Sequence, residues 1–401
     1  MPNPYAEIFR APGAKAFSAA GFIARLPLAM VTLGIVTMLS QARGEYALAG
    51  AVSATFALSN ALIAPQISRL VDRHGQGRVA IPATVVTVAA LAGLMLATRL
   101  GAPDWTLYLF AVGAGAMPSM TALVRARWTE LYRDTPQLRT AFAFESVVDE
   151  MIFMTGPILA IGLSVTVFPE AGPLAATLLL AVGVALFSRL KATEPPVHAA
   201  EAGRGRSVIR LGSIRVIGLT MVAVGAIFGT AEVTAVAFAE AHGHTAAASL
   251  VLAAYALGSL IVGLVFGAIR PRISLSAQFL LAIGLAALTT LPLLVVDSIP
   301  ALALVLFLAG AAVSPTIITA MGLIERLAPP SQLTEGITWA MTGVGIGMAV
   351  GSSISGRVID ELGAASGFWV SVAGGATALA VALLGQRWLR ERGTAARPAM
   401  A

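Results

Sequence analysis

A chain of 401 residues that is 57% hydrophobic and only 11% charged, with a mean hydropathy of +0.85, lies outside the composition of water-soluble proteins, in which about a quarter of residues carry charge. The absence of cysteine excludes disulfide frameworks, thiolate metal sites and cysteine nucleophiles. A net charge of +6 does not point to nucleic acid, because the basic residues are scattered between apolar runs instead of massed on one face.

Apolar stretches of about 20 residues, the length a helix needs to cross a bilayer, recur from Phe17 to Trp388. They are too long and too uniformly apolar for barrel strands, so the fold class is all-α and transmembrane. In chain order the pattern predicts twelve spans: 17–40, 46–69, 79–99, 105–126, 140–165, 172–190, 214–238, 246–269, 275–296, 300–324, 334–358 and 365–387. Breaks between them carry turn or charge signals such as Arg43-Gly44-Glu45 and Pro329-Pro330-Ser331. The first apolar segment exceeds the core of a secretory signal and is expected to remain as a helix.

With the N-terminus placed in the cytoplasm, 22 of the 26 Lys and Arg fall on the cytoplasmic side and three, Arg43, Arg99 and Arg357, outside. The positive-inside rule therefore supports a multi-pass protein of the cell membrane with both termini cytoplasmic. Residues 191–213, with Glu194-Pro195-Pro196 and Gly203-Arg204-Gly205-Arg206, form the longest polar stretch and divide the spans six and six. The expected organisation is a bundle over 1–190, a cytoplasmic linker over 191–213 and a second bundle over 214–401.

Ionisable residues inside spans are costly and default to functional candidates. Arg25 lies in span one and requires a carboxylate or a water-filled cavity. In span five Glu145 and Asp149 are four apart and share a helical face, while Glu150 is turned about 100° from Asp149. Crowded acids in a low dielectric make proton or cation sites. Asp149 and Glu150 lie deeper than Glu145, which could simply pair with Arg125, Arg127 or Arg139. Glu232 in span seven is a further cavity acid or an outer-gate residue. His242 and His244, in the loop after it, are assigned no role.

The halves repeat. LFAVGAGAMPSMTA (Leu109–Ala122) matches LFLAGAAVSPTIITA (Leu306–Ala320), with Gly113 over Gly310 and Pro118 over Pro315 at an offset of 197; FALSN (Phe56–Asn60) matches YALGS (Tyr255–Ser259) at 199. Transporters commonly place a midplane site between such repeats. The six-and-six spans, the basic linker and RLVDRHGQGR (Arg69–Arg78) resemble the major facilitator superfamily over essentially the whole chain. The fold this implies is two pseudo-symmetric six-helix bundles.

The family's loop signature is met by Asp72, Arg73, Gly75 and Arg78, with Ser68 in place of its first glycine. By resemblance these residues form a conformational latch, with Asp72 acting on the entry of span eleven, Ser331–Glu335. Met154-Thr155-Gly156-Pro157 looks like part of the family's antiporter motif: Gly156 and Pro157 survive, while Ile152 and Ala160 stand where glycines are expected. The arginine of the family's fourth-helix signature is replaced by Leu109.

The leading expectation is therefore a secondary active transporter, a proton-coupled antiporter exporting a small amphipathic organic compound by alternating access. Its partners are that substrate, protons and the lipid bilayer; a monomer is expected, with no cofactor and no nucleic acid. No phosphate-binding Gly-rich loop is present to use ATP. The runner-up is transport of a sugar or other polar metabolite, to whose pocket Asn60 and Trp339 are the thin candidate contributors. A membrane enzyme is disfavoured because the four histidines all fall in predicted loops.

Overall fold

The computed structural model describes residues 4–44, 46–197, 207–244, 247–269 and 272–389. The linker motif at 203–206 and the basic tail from Arg390 lie outside the described residues. The chain divides into two compact units, one of Met1–Ala141 with Val148–Gly205, the other of Phe142–Val147 with Arg206–Ala401.

Helices account for nearly all of the described residues, and no strand occurs among them. In the first half they are α1 (Pro4–Ile8), α2 (Ala14–Arg43), α3 (Tyr46–His74), α4 (Gln76–Arg99), α5 (Asp104–Ala114), α6 (Met120–Tyr132), α7 (Pro136–Thr166) and α8 (Ala171–Arg189). In the second half they are α9 (Gly212–Ala241), α10 (Ala247–Ala268), α11 (Leu275–Thr290), α12 (Ile299–Ala311), α13 (Val313–Leu327), α14 (Leu333–Leu362), α15 (Phe368–Leu384) and α16 (Gln386–Leu389). Apolar runs fold this way because a helix satisfies its own backbone groups where no water is available. Polar residues inside them do the same locally: Thr87, Thr98, Ser146 and Thr177 donate to the carbonyl four residues back, at 2.7–3.1 Å.

Eleven segments are long and apolar enough to cross a bilayer. The remaining crossing of the twelve-helix fold is made by α5 and α6 together, of 11 and 13 residues. The prediction of one continuous helix over 105–126 is thus corrected: the chain leaves the helix at 115–119, where Pro118 lacks the N–H that would continue the ladder. The repeat partner, predicted over 300–324, is likewise two helices, α12 and α13, meeting at Ala312. Each break is met by a polar side chain from the partner helix. Asn60 Nδ2 of α3 donates to Gly115 O at 3.1 Å and Met117 O at 3.0 Å. In the other half Ser259, which aligns with Asn60, bonds the hydroxyl of Ser314, which aligns with Met117, at 2.9 Å.

The predicted loop over 70–78 is also largely helical. α3 runs to His74 and α4 starts at Gln76, leaving Gly75 alone as the turn at φ +94°, a region that glycine enters without strain. His242 is likewise the C-cap of α9 and not a free loop residue; its Nδ1 lies 2.8 Å from Phe238 O.

Within the second unit α9 lies closely along α14. The contact is a seam of small residues: a Cβ at Gly347 would collide with the carbonyl of Val222, one at Gly351 with that of Ala226, and one at Gly225 with that of Val344. Without a hydrophobic force between helices in lipid, such backbone proximity supplies the packing energy. A core of Ala235, Phe238, Val251, Leu302, Leu306 and Phe368 completes one end of this unit. In the first unit the principal partner of α2 is α8, where Gly183 meets Ala24, and α7 touches α2 at few places.

Candidate functional site

Three helices of the first unit converge on one charged cluster. Arg25, the twelfth residue of α2, donates from Nη1 to Asp149 Oδ1 of α7 at 3.1 Å. Arg125 of α6 donates from Nη2 to Asp149 Oδ2 at 2.7 Å. Arg25 Nε also donates to Gly21 O at 3.2 Å, which orients its guanidinium along α2. The arginine side chains are 1% and 0% exposed, and that of Asp149 15%. Arg125 Nε and Nη1 are buried and have no hydrogen-bond partner among the described residues. The cluster is thus two guanidinium groups on one carboxylate, lying about 17–20 Å along α2 and α7 from their N-terminal ends.

Repeat symmetry shows that the fold does not require these charges. At offsets of 197–199, Arg25 corresponds to residues 222–224 and Asp149 to 346–348. There the second half packs Gly347 directly on Val222. One half closes this seam with glycine against backbone, the other holds it with ions. A buried ion triad is weak evidence for stability, since apolar residues of similar volume usually do as well.

Sequence reasoning named Arg25 and Asp149 separately and left Arg25's partner open. Of the three arginines offered as alternative partners of Glu145, which were Arg125, Arg127 and Arg139, Arg125 pairs with Asp149 and Arg127 hydrogen-bonds neutral groups. Arg127 is fully buried in the middle of α6. Its Nε donates to Gln76 Oε1 at 2.8 Å, Nη1 to Leu190 O and Thr193 Oγ1, each at 2.8 Å, and Nη2 to Phe187 O at 3.0 Å. The guanidinium stacks on the Phe187 ring at 3.7 Å. This knot ties α6 to the start of α4 and the end of α8. No local pattern marks it, because its partners are 51–66 residues away.

At the loop signature, Gly75 is buried, Arg73 and Arg78 are exposed and Asp72 is half-buried. The carboxylate on the Gly77 N–H at the start of α4 is that of Glu194, at 2.9 Å. Glu335, fully buried near the start of α14, accepts from the Ser207 hydroxyl and, at 3.2 Å, from the Val208 N–H. Trp339 Nε1 lies 3.4 Å from the same oxygen. Asn60 and Trp339, the two candidate sugar ligands, thus both serve protein groups.

Of the remaining candidates, Glu145 is fully buried and Glu150 half-buried on α7. Glu232 is exposed on α9, and no hydrogen bond or ion pair engages it among the described residues. Gly156 is buried, and a Cβ there would stand 2.6 Å from Ala29 Cβ of α2. Pro157 lies inside α7, which continues through it to Thr166.

Among solved structures, the chain is similar in fold to the human organic anion transporter MFSD10 (TETRAN), with 16% identity, a TM-score of 0.69, and 94% of this chain and 100% of that one covered. It is also similar to a bacterial homologue of the iron transporter ferroportin in an outward-facing state, with 15% identity, a TM-score of 0.71 and coverages of 93% and 99%. FucP, the E. coli fucose:proton symporter, matches in its outward conformation with 12% identity, a TM-score of 0.70 and coverages of 94% and 99%. No curated protein sequence matches the chain. The family model of the Major Facilitator Superfamily matches over residues 17–296 and 217–399. The chain is therefore a multi-pass membrane protein of the Major Facilitator Superfamily, a family of secondary transporters.

Proposed function

We propose that this protein is a proton-coupled secondary transporter of the cell membrane, a monomer with both termini cytoplasmic, that exports a small amphipathic organic compound by antiport. The observation that carries the reading is the Arg25–Asp149–Arg125 cluster, a set of ions that the matching seam of the other half does without. Mostly apolar helices with few charges suit an amphipathic ligand better than a sugar, and the two residues most suited to a sugar are engaged elsewhere. The kink residues Gly156 and Pro157 support export, because close contact of Gly156 with Ala29 seals α7 on α2 beyond the cluster. The latch residues Asp72, Arg73, Gly75 and Arg78 fit switching between states, and α3 and α4 turn there on a single glycine.

The acids divide the work. Asp149 is held by two guanidinium groups, whereas Glu232 engages no partner among the described residues. Binding of a proton then biases the relative stability of the inward and outward states. The test is reconstitution in liposomes with an imposed pH gradient and a panel of dyes and metabolites. Wild type is expected to move substrate against the proton flow. Glu232→Gln is expected to abolish gradient dependence, and Asp149→Asn to lower the rate. Transport indifferent to the gradient refutes antiport. Retention of coupling in Asp149→Asn, Glu150→Gln and Glu232→Gln alike refutes the assignment of these acids.

A further inference from the structure

Arg25 and Arg125 both pair with the carboxylate of Asp149. Arg125 is fully buried and uses one of its three nitrogens, while Nε and Nη1 find no acceptor among the described residues. A buried guanidinium with unmet donors is costly in a low-dielectric setting. The contrast with Arg127, two residues on, is direct: all three of its nitrogens are engaged and its face is stacked. The fold can satisfy a buried arginine fully, and it does not do so at Arg125.

We propose that Arg125 is the docking point for an anionic group, a carboxylate carried by the organic substrate, with Asp149 and Arg25 as its supporting pair. This rests on the transport reading above and adds the substrate's charge class to it. Three features agree. Asp149 is the most exposed member of the cluster, at 15%. The helices that carry it, α2 and α7, touch at few places, where the matching helices of the other half are in backbone contact. Guanidinium N–H groups are suited by charge and planarity to a carboxylate, whereas an amine would add a third cation. Asp149 keeps Nη2, which holds the guanidinium in place while the donors on Nε and Nη1 serve the ligand. The other charged neighbours on α7 are Glu145, one turn before Asp149, and Glu150, the next residue; both are acids that oppose an anion and limit its affinity.

The experiment uses the purified full chain in lipid nanodiscs and three probes that share a naphthalene body and differ in the charge of the polar group, 2-naphthoate, 2-naphthamide and 2-naphthylmethylamine, with saturable change in thermal stability as the readout. Wild type is expected to bind naphthoate at least about tenfold more tightly than either other probe, as expected when one hydrogen-bonded charge is added to a ligand. Arg125→Gln is expected to erase that preference, and Arg125→Lys to keep part of it. Equal binding of the three probes, no saturable response to naphthoate, or an undiminished preference in Arg125→Gln overturns the proposal. Charge-selective binding without gradient-driven transport in liposomes leaves the anion site standing and refutes the transport reading. Driven transport indifferent to ligand charge does the reverse.

Discussion

Replacing Arg127 by leucine removes four hydrogen bonds and a ring contact at once; Gln76 Oε1 and Thr193 Oγ1 lose their donor, while the carbonyls of Leu190 and Phe187 keep the Thr193 hydroxyl and the Leu190 N–H. Two buried acceptors that lose a charged donor at about 1.5–3 kcal/mol each cost about 3–5 kcal/mol together. In a cooperative unit of this size each kcal/mol lowers the unfolding midpoint by roughly 2–4 °C. Arg127→Leu should therefore unfold roughly 6–20 °C below wild type. Arg127→Lys keeps the charge but cannot reach acceptors on three sides, and should fall between the two. Trp128 is a built-in reporter: it is buried next in sequence, 4.7 Å from the Phe17 ring and 5.8 Å from Phe9. With the other four tryptophans replaced by phenylalanine, its fluorescence during heating in detergent follows this region directly. A midpoint for Arg127→Leu within 1 °C of wild type, on the order of a negligible energy change, would refute the view that this residue ties three helices together.

Other outcomes follow from the same structure. Gly115→Val puts a side chain 2.5 Å from Ser59 Cβ and 2.8 Å from the Asn60 N, so it should cost about 1–3 kcal/mol, read as a lowered unfolding midpoint. Asn60→Leu strips two carbonyls of their donor and should destabilise by roughly 1–3 kcal/mol in the same assay, with Asn60→Gln no substitute because the amide is displaced by one methylene. Gly156→Leu pushes α7 off Ala29 and should raise the passive leak of the pH gradient in liposomes, measured with an entrapped dye. Glu335→Gln keeps the acceptor oxygen for Val208 N–H but loses its charge; susceptibility of the chain near Ser207 to limited proteolysis should rise by a few-fold, on the order of one weakened charged hydrogen bond.

The membrane helices were legible because hydropathy and bilayer thickness act on every residue of a span. The breaks within the fourth and tenth crossings were not, since Gly115, Ala116 and Ala312 are as apolar as a continuous helix would be; Pro118 was visible but served only as a repeat marker. The latch loop was legible as a motif and misjudged as a loop, because Gly75 alone makes the turn. At the site, depth in the sequence picked out Arg25 and Asp149, and helical periodicity could not say which acid faces Arg25. Arg125 and Arg127 were read together as cytoplasmic charge. One is a member of the cluster and the other a structural tie, a distinction set entirely by residues distant in the chain.

The polar connector between the halves is fastened near each of its ends. Glu194 grips the backbone of Gly77 on one side, and Glu335 grips Ser207 and Val208 on the other. Like a cable clamped where it enters each housing, the strand between can be lengthened, cut or tugged without loosening the helices that follow. The two halves should accordingly tolerate being made as separate polypeptides, each keeping its own clamped stub, and the connector becomes the natural place to insert a tag or a sensor domain.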